Sequence, residues 1–316
     1  MPTTSGAEPA ATVRPATVRP TAQVRALGDA IAAWGTADGS GSRRSGLPWR
    51  ATRDPWAVLV AEVMLQQTQV SRVVPAYLRF LDRFPTPAAC AASPLGDVLR
   101  AWEGLGYNRR ARGLHGAAVA VVDRHGGVVP GELDALLALP GVGAYTARAV
   151  LAFAFEADVG VVDTNAGRVL SRAVAGGPLG AADAQRLVDS MVPPGTGWAF
   201  NQALLDLGST VCVAGTPRCG SCPVRPRCRW SRAGCPAPDP SRGSAGVSTP
   251  QAAFAGSDRQ GRGRLVDALR RGPLEAAGVP AAMGWDGEPE RVARVVDGLV
   301  AEGLVTRDRA GTLALP

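Results

Sequence analysis

Four cysteines packed into seventeen residues constrain this chain more than any other feature. They run Cys212-x6-Cys219-x2-Cys222-x5-Cys228, with prolines and arginines between them. Four thiolates on one compact loop can ligate a tetrahedral zinc or the irons of a cubane cluster. Zinc sites built from cysteine usually pair two Cys-x2-Cys knuckles; here there is one, and no histidine lies nearby. The spacing therefore favours a [4Fe-4S] cluster on a rigid, basic loop suited to touch phosphate. So dense a group of thiols, behind an N-terminus with no apolar signal core, indicates a reducing compartment, and the chain is expected in the cytoplasm. Cys90 and Cys235 fall outside the spacing and read as structural or incidental.

The composition, 46% hydrophobic and 19% charged over 316 residues, is that of a folding chain. No run of eighteen apolar residues occurs, so no membrane partner is expected. Arg supplies all 34 basic residues, with no Lys anywhere. This removes both a phosphate-loop lysine and an internal lysine Schiff base. The formal charge of +7 suits a polyanionic partner such as nucleic acid.

Residues 1–22, with the pentapeptide Ala-Thr-Val-Arg-Pro twice in tandem, read as a disordered tail. Residues 23–235 read as a succession of helices punctuated by Pro and Gly, closing on the cysteine loop at 212–228. Residues 236–262 are rich in helix breakers and read as a linker. Residues 263–316 suggest a small winged-helix-like module, with helices over Arg264–Arg271 and Pro289–Ala301 and a hairpin around Asp308-Arg309-Ala310-Gly311.

Three stretches carry chemistry. Trp56 to Val70 reads as an apolar helix with one carboxylate, Glu62, followed by Gln66-Gln67-Thr68-Gln69, a polar and uncharged run able to meet base edges. An acid lodged beside a cleft on such a helix has its pKa raised and can serve as a general acid. Leu139-Pro-Gly-Val-Gly joins helices over Leu133–Leu139 and Thr146–Phe155 into a helix-hairpin-helix. There Gly141, Val142 and Gly143 let backbone N–H groups approach a phosphate. Asp163 ends the apolar run Val159-Gly-Val-Val. It reads first as an N-cap, and a helix N-terminus would hold it anionic. A protonated acid with an ionised partner is the arrangement that splits a glycosidic bond through an oxocarbenium-like transition state.

With Glu-Val-Met-Leu-Gln-Gln-Thr-Gln, Leu-Pro-Gly-Val-Gly-Ala-Tyr-Thr-Ala, Val-Asp-Thr-Asn and the cysteine spacing in one order, residues 23–228 resemble the MutY family of adenine DNA glycosylases. That family lies in the helix-hairpin-helix superfamily with endonuclease III. The resemblance implies an all-α, two-lobed fold, a [4Fe-4S] cluster on Cys212, Cys219, Cys222 and Cys228, and double-stranded DNA as partner of a monomer. Adenine mispaired with 8-oxoguanine or guanine would be flipped out and excised between the lobes. Carried over motif by motif, Glu62 is the acid that protonates adenine N7. Asp163 is the anion facing the sugar cation, and Tyr145 stands beside it. Trp49, Arg50 and Gln202 match positions lining the adenine pocket, and Gln67, Thr68 and Leu105 match residues that wedge beside the orphaned purine. Relatives with lyase activity place a lysine where this chain has Tyr145, so a monofunctional enzyme is expected. Typical members also carry a strand-rich, Nudix-like C-terminal domain, which the last 55 or so residues here do not resemble.

Overall fold

The computed structural model describes residues 21–36, 46–244 and 253–316. Most of the expected tail, and residues 245–252 of the expected linker, lie outside the described residues. The helices are α1 (Ala22–Thr36), α2 (Pro55–Leu65), α3 (Val70–Arg83), α4 (Pro87–Ala91), α5 (Leu95–Ala101), α6 (Arg109–His125), α7 (Leu133–Leu137) and α8 (Ala144–Ala154). They continue as α9 (Thr164–Leu170), α10 (Ala181–Asp189), α11 (Gly197–Asp206), α12 (Arg229–Arg232), α13 (Asp258–Arg271), α14 (Val279–Met283) and α15 (Pro289–Ala301). The sheet among the described residues is one hairpin, β1 (Thr306–Arg307) antiparallel to β2 (Leu313–Ala314). The fold is all-α, and the chain divides into two compact units.

One unit holds residues 46–157 and 253–316 of the described chain. Its centre is α2, whose residues Trp56 to Met64 are all buried. Pro55 at its first position and Asp54 as N-cap, accepting from Trp56 N at 3.0 Å, set where it starts. A helix apolar all round must be enclosed, and α3, α6 and α8 pack against it. Burying each large side chain such as Leu59 contributes about 1.5–3 kcal/mol. The expected continuous helix from Trp56 to Val70 is broken. It ends at Leu65, Gln67 turns left-handed at φ +54°, and α3 begins afresh at Val70. The carbonyls freed by that break are taken by Arg110, described below. The C-terminal part of this unit has the two expected helices and the hairpin. Asp308 Oδ1 closes the hairpin turn by accepting from Ala310 N and Thr312 N. Between the helices lies α14, whose five residues are too few for a periodic signal.

The other unit holds residues 21–36 and 158–244. Helix α1 packs on α11, and its apolar face (Leu27, Ile31) joins Leu170, Leu187, Phe200 and Leu204 in one core. Gly28 is required there, since a Cβ would sit 1.9 Å from the Met191 carbonyl oxygen. Helices α9 and α11 each end in a wider π turn, Ser171–Ala175 and Leu207–Val211, and the second delivers Cys212.

The expected linker is anchored at both described ends. Asp239 pairs with Arg172, and Ser244 Oγ shares a 2.6 Å hydrogen bond with Ser171 Oγ. At the far end Ser257 caps α13, so that helix begins at Asp258, inside the stretch read as linker. Breaker-rich composition disfavours a helix over 236–244, but the polar groups there can still dock.

Candidate active site

Glu62 is the only charged residue of α2 and is 5% exposed, so the carboxylate lies within the packed body of its unit. Tyr145 occupies the first turn of α8, which packs on α2. Of the two helices of the hairpin motif, α7 is shorter than expected, and α8 starts two residues earlier and ends one earlier. Helix α7 stops at Leu137, because Pro140 disfavours helix in the residue before it. Helix α8 starts at Ala144, because Gly143 in an extended conformation serves as N-cap. Gly141 has φ +75°, and a Cβ there would meet Gly113 Cα at 3.1 Å. The turn thus needs glycine for both conformation and close approach. Val142 is buried and anchors the turn while Gly141 and Gly143 are exposed, leaving the start of α8 accessible to an anion.

Trp49 lies buried in the short 3-10 turn Pro48–Arg50, edge-on to Tyr77 at 5.5 Å, and Arg50 beside it is half-buried. Gln67 is exposed, and Thr68 Oγ1 reaches the Leu105 carbonyl at 3.4 Å. Gln66 Nε2 donates to Thr146 Oγ1 at 3.2 Å, joining this turn to α8. Leu105 is only 2% exposed, whereas Tyr107, two residues on, is 44% exposed with φ +48°. Gln66, Gln67, Leu105 and Tyr107 line one groove, together with Phe254, Arg259 and Arg262.

Arg110 organises that region. Its Nη1 donates to the carbonyls of Val63 (2.8 Å), Met64 (2.9 Å) and Gln66 (2.6 Å), at the open C-terminus of the Glu62 helix. Its Nη2 donates to Thr68 Oγ1 (3.0 Å), Leu105 O (3.1 Å) and Gly106 O (3.2 Å). Burial lowers its pKa to about 10, the Tyr107 hydroxyl opposing and Arg72 adding to the shift.

Asp163 belongs to the other unit, with Gln202 and the four cysteines. It is the N-cap of α9, as the sequence suggested: Oδ1 accepts from Ala166 N and Oδ2 from Asn165 Nδ2, each at 2.7 Å. The expectation that the helix N-terminus keeps its pKa low is corrected. Burial outweighs the Ala166 and Asn165 hydrogen bonds and the nearby Arg168, and the carboxyl is pushed up. The extended approach to Asp163 is held by Asn201, fully buried, which accepts from Val161 N at 2.8 Å and donates to Val159 O at 2.8 Å. Gln202, its neighbour on α11, is half-buried. Arg168 then links the carboxylate to the cysteine loop, donating to Asn165 Oδ1 (2.8 Å), Gly208 O (2.6 Å) and Cys212 O (2.6 Å).

Cys212, Cys219, Cys222 and Cys228 line a single cavity of about 320 Å³. Among the described residues, no three His, Cys, Asp or Glu side chains close on a point that one metal ion could occupy. Four thiols around one cavity are a donor set that a cubane cluster, which spreads its thiolates over a larger body than one ion, would fit. Arg172, 1% exposed, holds the loop: Nη1 donates to Val213 O at 2.8 Å and to Cys212 Sγ at 3.5 Å, and its guanidinium lies over Trp230 at 4.9 Å. Asp239 is its counter-ion, and despite some desolvation the Arg172 and Ser241 hydrogen bonds hold that carboxyl down at about 2. Cys90 is a buried core thiol, pushed up to about 12 by burial, and Cys235 is exposed.

Sequence reasoning missed Tyr107, Arg110, Asn201, Arg168 and Arg172. In a chain where every basic residue is Arg, no single arginine stands out. Tyr107 was signalled only by following the turn-forming Gly104-Leu-Gly.

Residues 60–193 match the profile of the HhH-GPD superfamily base excision DNA repair proteins. The chain is 44% identical over 276 residues to an adenine DNA glycosylase of Mycolicibacterium smegmatis, covering 86% of this chain and 92% of that one. It is 43% identical over 278 residues to that of Mycobacterium tuberculosis (85% and 88% covered) and 38% identical over 225 residues to that of Homo sapiens (67% and 40%). Among solved structures it is similar to a thermostable thymine-DNA glycosylase, with TM-score 0.60 and 28% identity over 67% of this chain and 97% of that one. It is also similar to endonuclease III trapped on DNA as a covalent intermediate, with TM-score 0.55 and 26% identity over 68% and 98%. Among the described residues no helix is long and apolar enough to cross a membrane.

Proposed function

This chain belongs to the adenine DNA glycosylases of the helix-hairpin-helix superfamily, and from that premise we propose that it excises adenine mispaired with 8-oxoguanine or guanine and leaves an intact abasic site. It is a DNA glycosylase of base excision repair. The observation that carries the finer reading is Glu62, a lone carboxylic acid enclosed on an otherwise apolar helix. In this reading its proton passes to N7 of a flipped adenine, and the C1′–N9 bond breaks with its electron pair entering the purine. The sugar is left as an oxocarbenium ion, which the carboxylate of Asp163 stabilises and to which this reading also assigns Tyr145, until water adds at C1′ and gives up a proton that restores the acid form of Glu62.

Trp49 and Arg50 in one unit and Gln202 in the other are the residues this reading assigns to adenine recognition. Gln67 and Thr68 meet the purine left behind, and Tyr107, exposed beside the enclosed Leu105, joins them. Gly141, Val142 and Gly143 present backbone N–H groups to a phosphate at the start of α8. Cys212, Cys219, Cys222 and Cys228 would hold a [4Fe-4S] cluster, which would order the basic loop between them. The enzyme acts as a monomer in the cytoplasm. With a phenol at position 145 and no lysine in the chain, no side-chain amine can form a Schiff base at C1′.

Incubation with duplexes carrying A opposite 8-oxoguanine, A opposite G, T opposite G, or thymine glycol, followed by hot alkali, tests the reading. Strand scission at A that needs the alkali supports it. Scission at a pyrimidine, scission without alkali, or binding with no scission contradicts it.

A further inference from the structure

The loop joining α5 to α6 has an unusual backbone: Gly104 (φ +80°), Gly106 (φ +69°) and Tyr107 (φ +48°) are all left-handed. Such a segment forms no regular ladder, so side chains must hold its carbonyls. Arg72 from α3 takes Gly104 O, Arg110 takes Leu105 O and Gly106 O, and Trp102 Nε1 also donates to Gly106 O at 3.1 Å. One further arginine comes from the C-terminal residues. Arg270 on α13 donates from Nε to Leu99 O at 2.9 Å and from Nη2 to Asn108 Oδ1 at 3.0 Å. Leu99 is in the last turn of α5 and Asn108 is the N-cap of α6, so one guanidinium spans both ends of the loop. The same C-terminal residues grip those two helices twice more. Glu302 accepts from Arg109, the first residue of α6, with Nε–Oε2 at 2.6 Å, and is itself paired with Arg262. The Pro316 carbonyl accepts from Gly96 N, in the first turn of α5, at 2.8 Å.

We propose that the C-terminal helices and hairpin brace the loop over residues 102–108, with Arg270 as the positioning residue that fixes the span from α5 to α6. The brace thereby sets how firmly the turn anchored by the enclosed Leu105 presents Tyr107 to the base opposite the excised adenine. This rests on the reading that the loop meets DNA. It gives the C-terminal module a task that needs no contact of its own with the lesion.

The test uses the full chain as wild type, R270A, R270K and R307A. Two quantities are read on A:8-oxoguanine and A:G duplexes: the single-turnover rate at saturating enzyme, and the enzyme concentration giving half that rate. Backbone hydrogen exchange is followed without DNA. For R270A the half-saturating concentration on A:G rises about tenfold and the saturating rate stays within about twofold, as expected when two hydrogen bonds to a charged group are lost away from the reacting atoms. Exchange accelerates in 102–108 and not in 144–154. R270K recovers part of the affinity, because an ammonium still reaches one acceptor. R307A, which removes an exposed pair with Asp297, behaves as wild type.

The proposal is overturned if R270A matches wild type in both affinity and exchange, or if it loses saturating rate equally on both duplexes with exchange raised throughout. A wild type that excises no adenine would instead sink the functional reading and leave the exchange result to judge the brace.

Discussion

Glu62 and Asp163 are both buried carboxyl groups, yet the chain prepares them in opposite ways. Glu62 sits mid-helix, where backbone N–H groups are already committed to the helix, and its neighbours on α2 are all apolar. Asp163 stands at a helix start, where Ala166 N and Asn165 Nδ2 point at it and Arg168 lies close by. Even so, burial pushes Asp163 up, so the donors around it reduce the cost of ionisation without abolishing it. The apolar helix face encloses Glu62, while the donors at the start of α9 gather around Asp163 without cancelling the cost of burying it.

The largest expected effect on this contrast is Glu62→Gln, which removes the proton and keeps the shape. Single-turnover excision should fall by about 100- to 10,000-fold while duplex affinity hardly moves. Asp163→Asn should slow excision by about 100- to 1,000-fold. Its stability should go the other way. A carboxyl whose folded pKa is raised favours folding most below its ordinary pKa, and that advantage is lost as pH rises through the raised value. Ionising Asp163 is therefore a cost to the fold, and Asn, which still caps, should melt no lower than wild type. Asp163→Ala loses the cap as well and should give up about 1 kcal/mol relative to Asn.

Third in size is Asp239→Asn, which strips the counter-ion from buried Arg172. A loss of about 2–4 kcal/mol by denaturant melts, with weaker visible absorbance from the bound cluster, is expected. The pH sign here is opposite. With Asp239 held down at about 2, its contribution is full above the ordinary carboxylate range and lost as pH falls from about 4 to 2. The smallest effect is Arg53→Ala. Its pair with Glu156 is exposed on both sides, so stability should shift by about 0.5 kcal/mol or less, with excision unchanged.

Much of this arrangement was legible in the chain. The apolar run around Glu62 announced a buried helix, Val-Asp-Thr-Asn announced an N-cap, and the cysteine spacing announced one shared cavity. What stayed hidden was long-range and polar. Arg110 joins the end of α2 to a loop some forty residues on, and Asn201 reaches back to Val159 and Val161. Neither bond leaves a periodic trace. The net pKa of Asp163 was misjudged for a related reason: the helix end is local and readable, but the burial that outweighs it comes from residues distant in sequence. Leu105 shows the same limit, since nothing in Gly-Leu-Gly-Tyr says which of its two large side chains is enclosed and which is exposed.

The central claim is that Glu62 supplies the proton that makes adenine a leaving group. A duplex whose target purine is alkylated at N7 bypasses that step, because the base already carries positive charge. On this substrate Glu62→Gln should excise at close to the wild-type rate, while Asp163→Asn should remain as slow as it is on ordinary adenine. Equal losses for Glu62→Gln on both substrates would contradict the assignment.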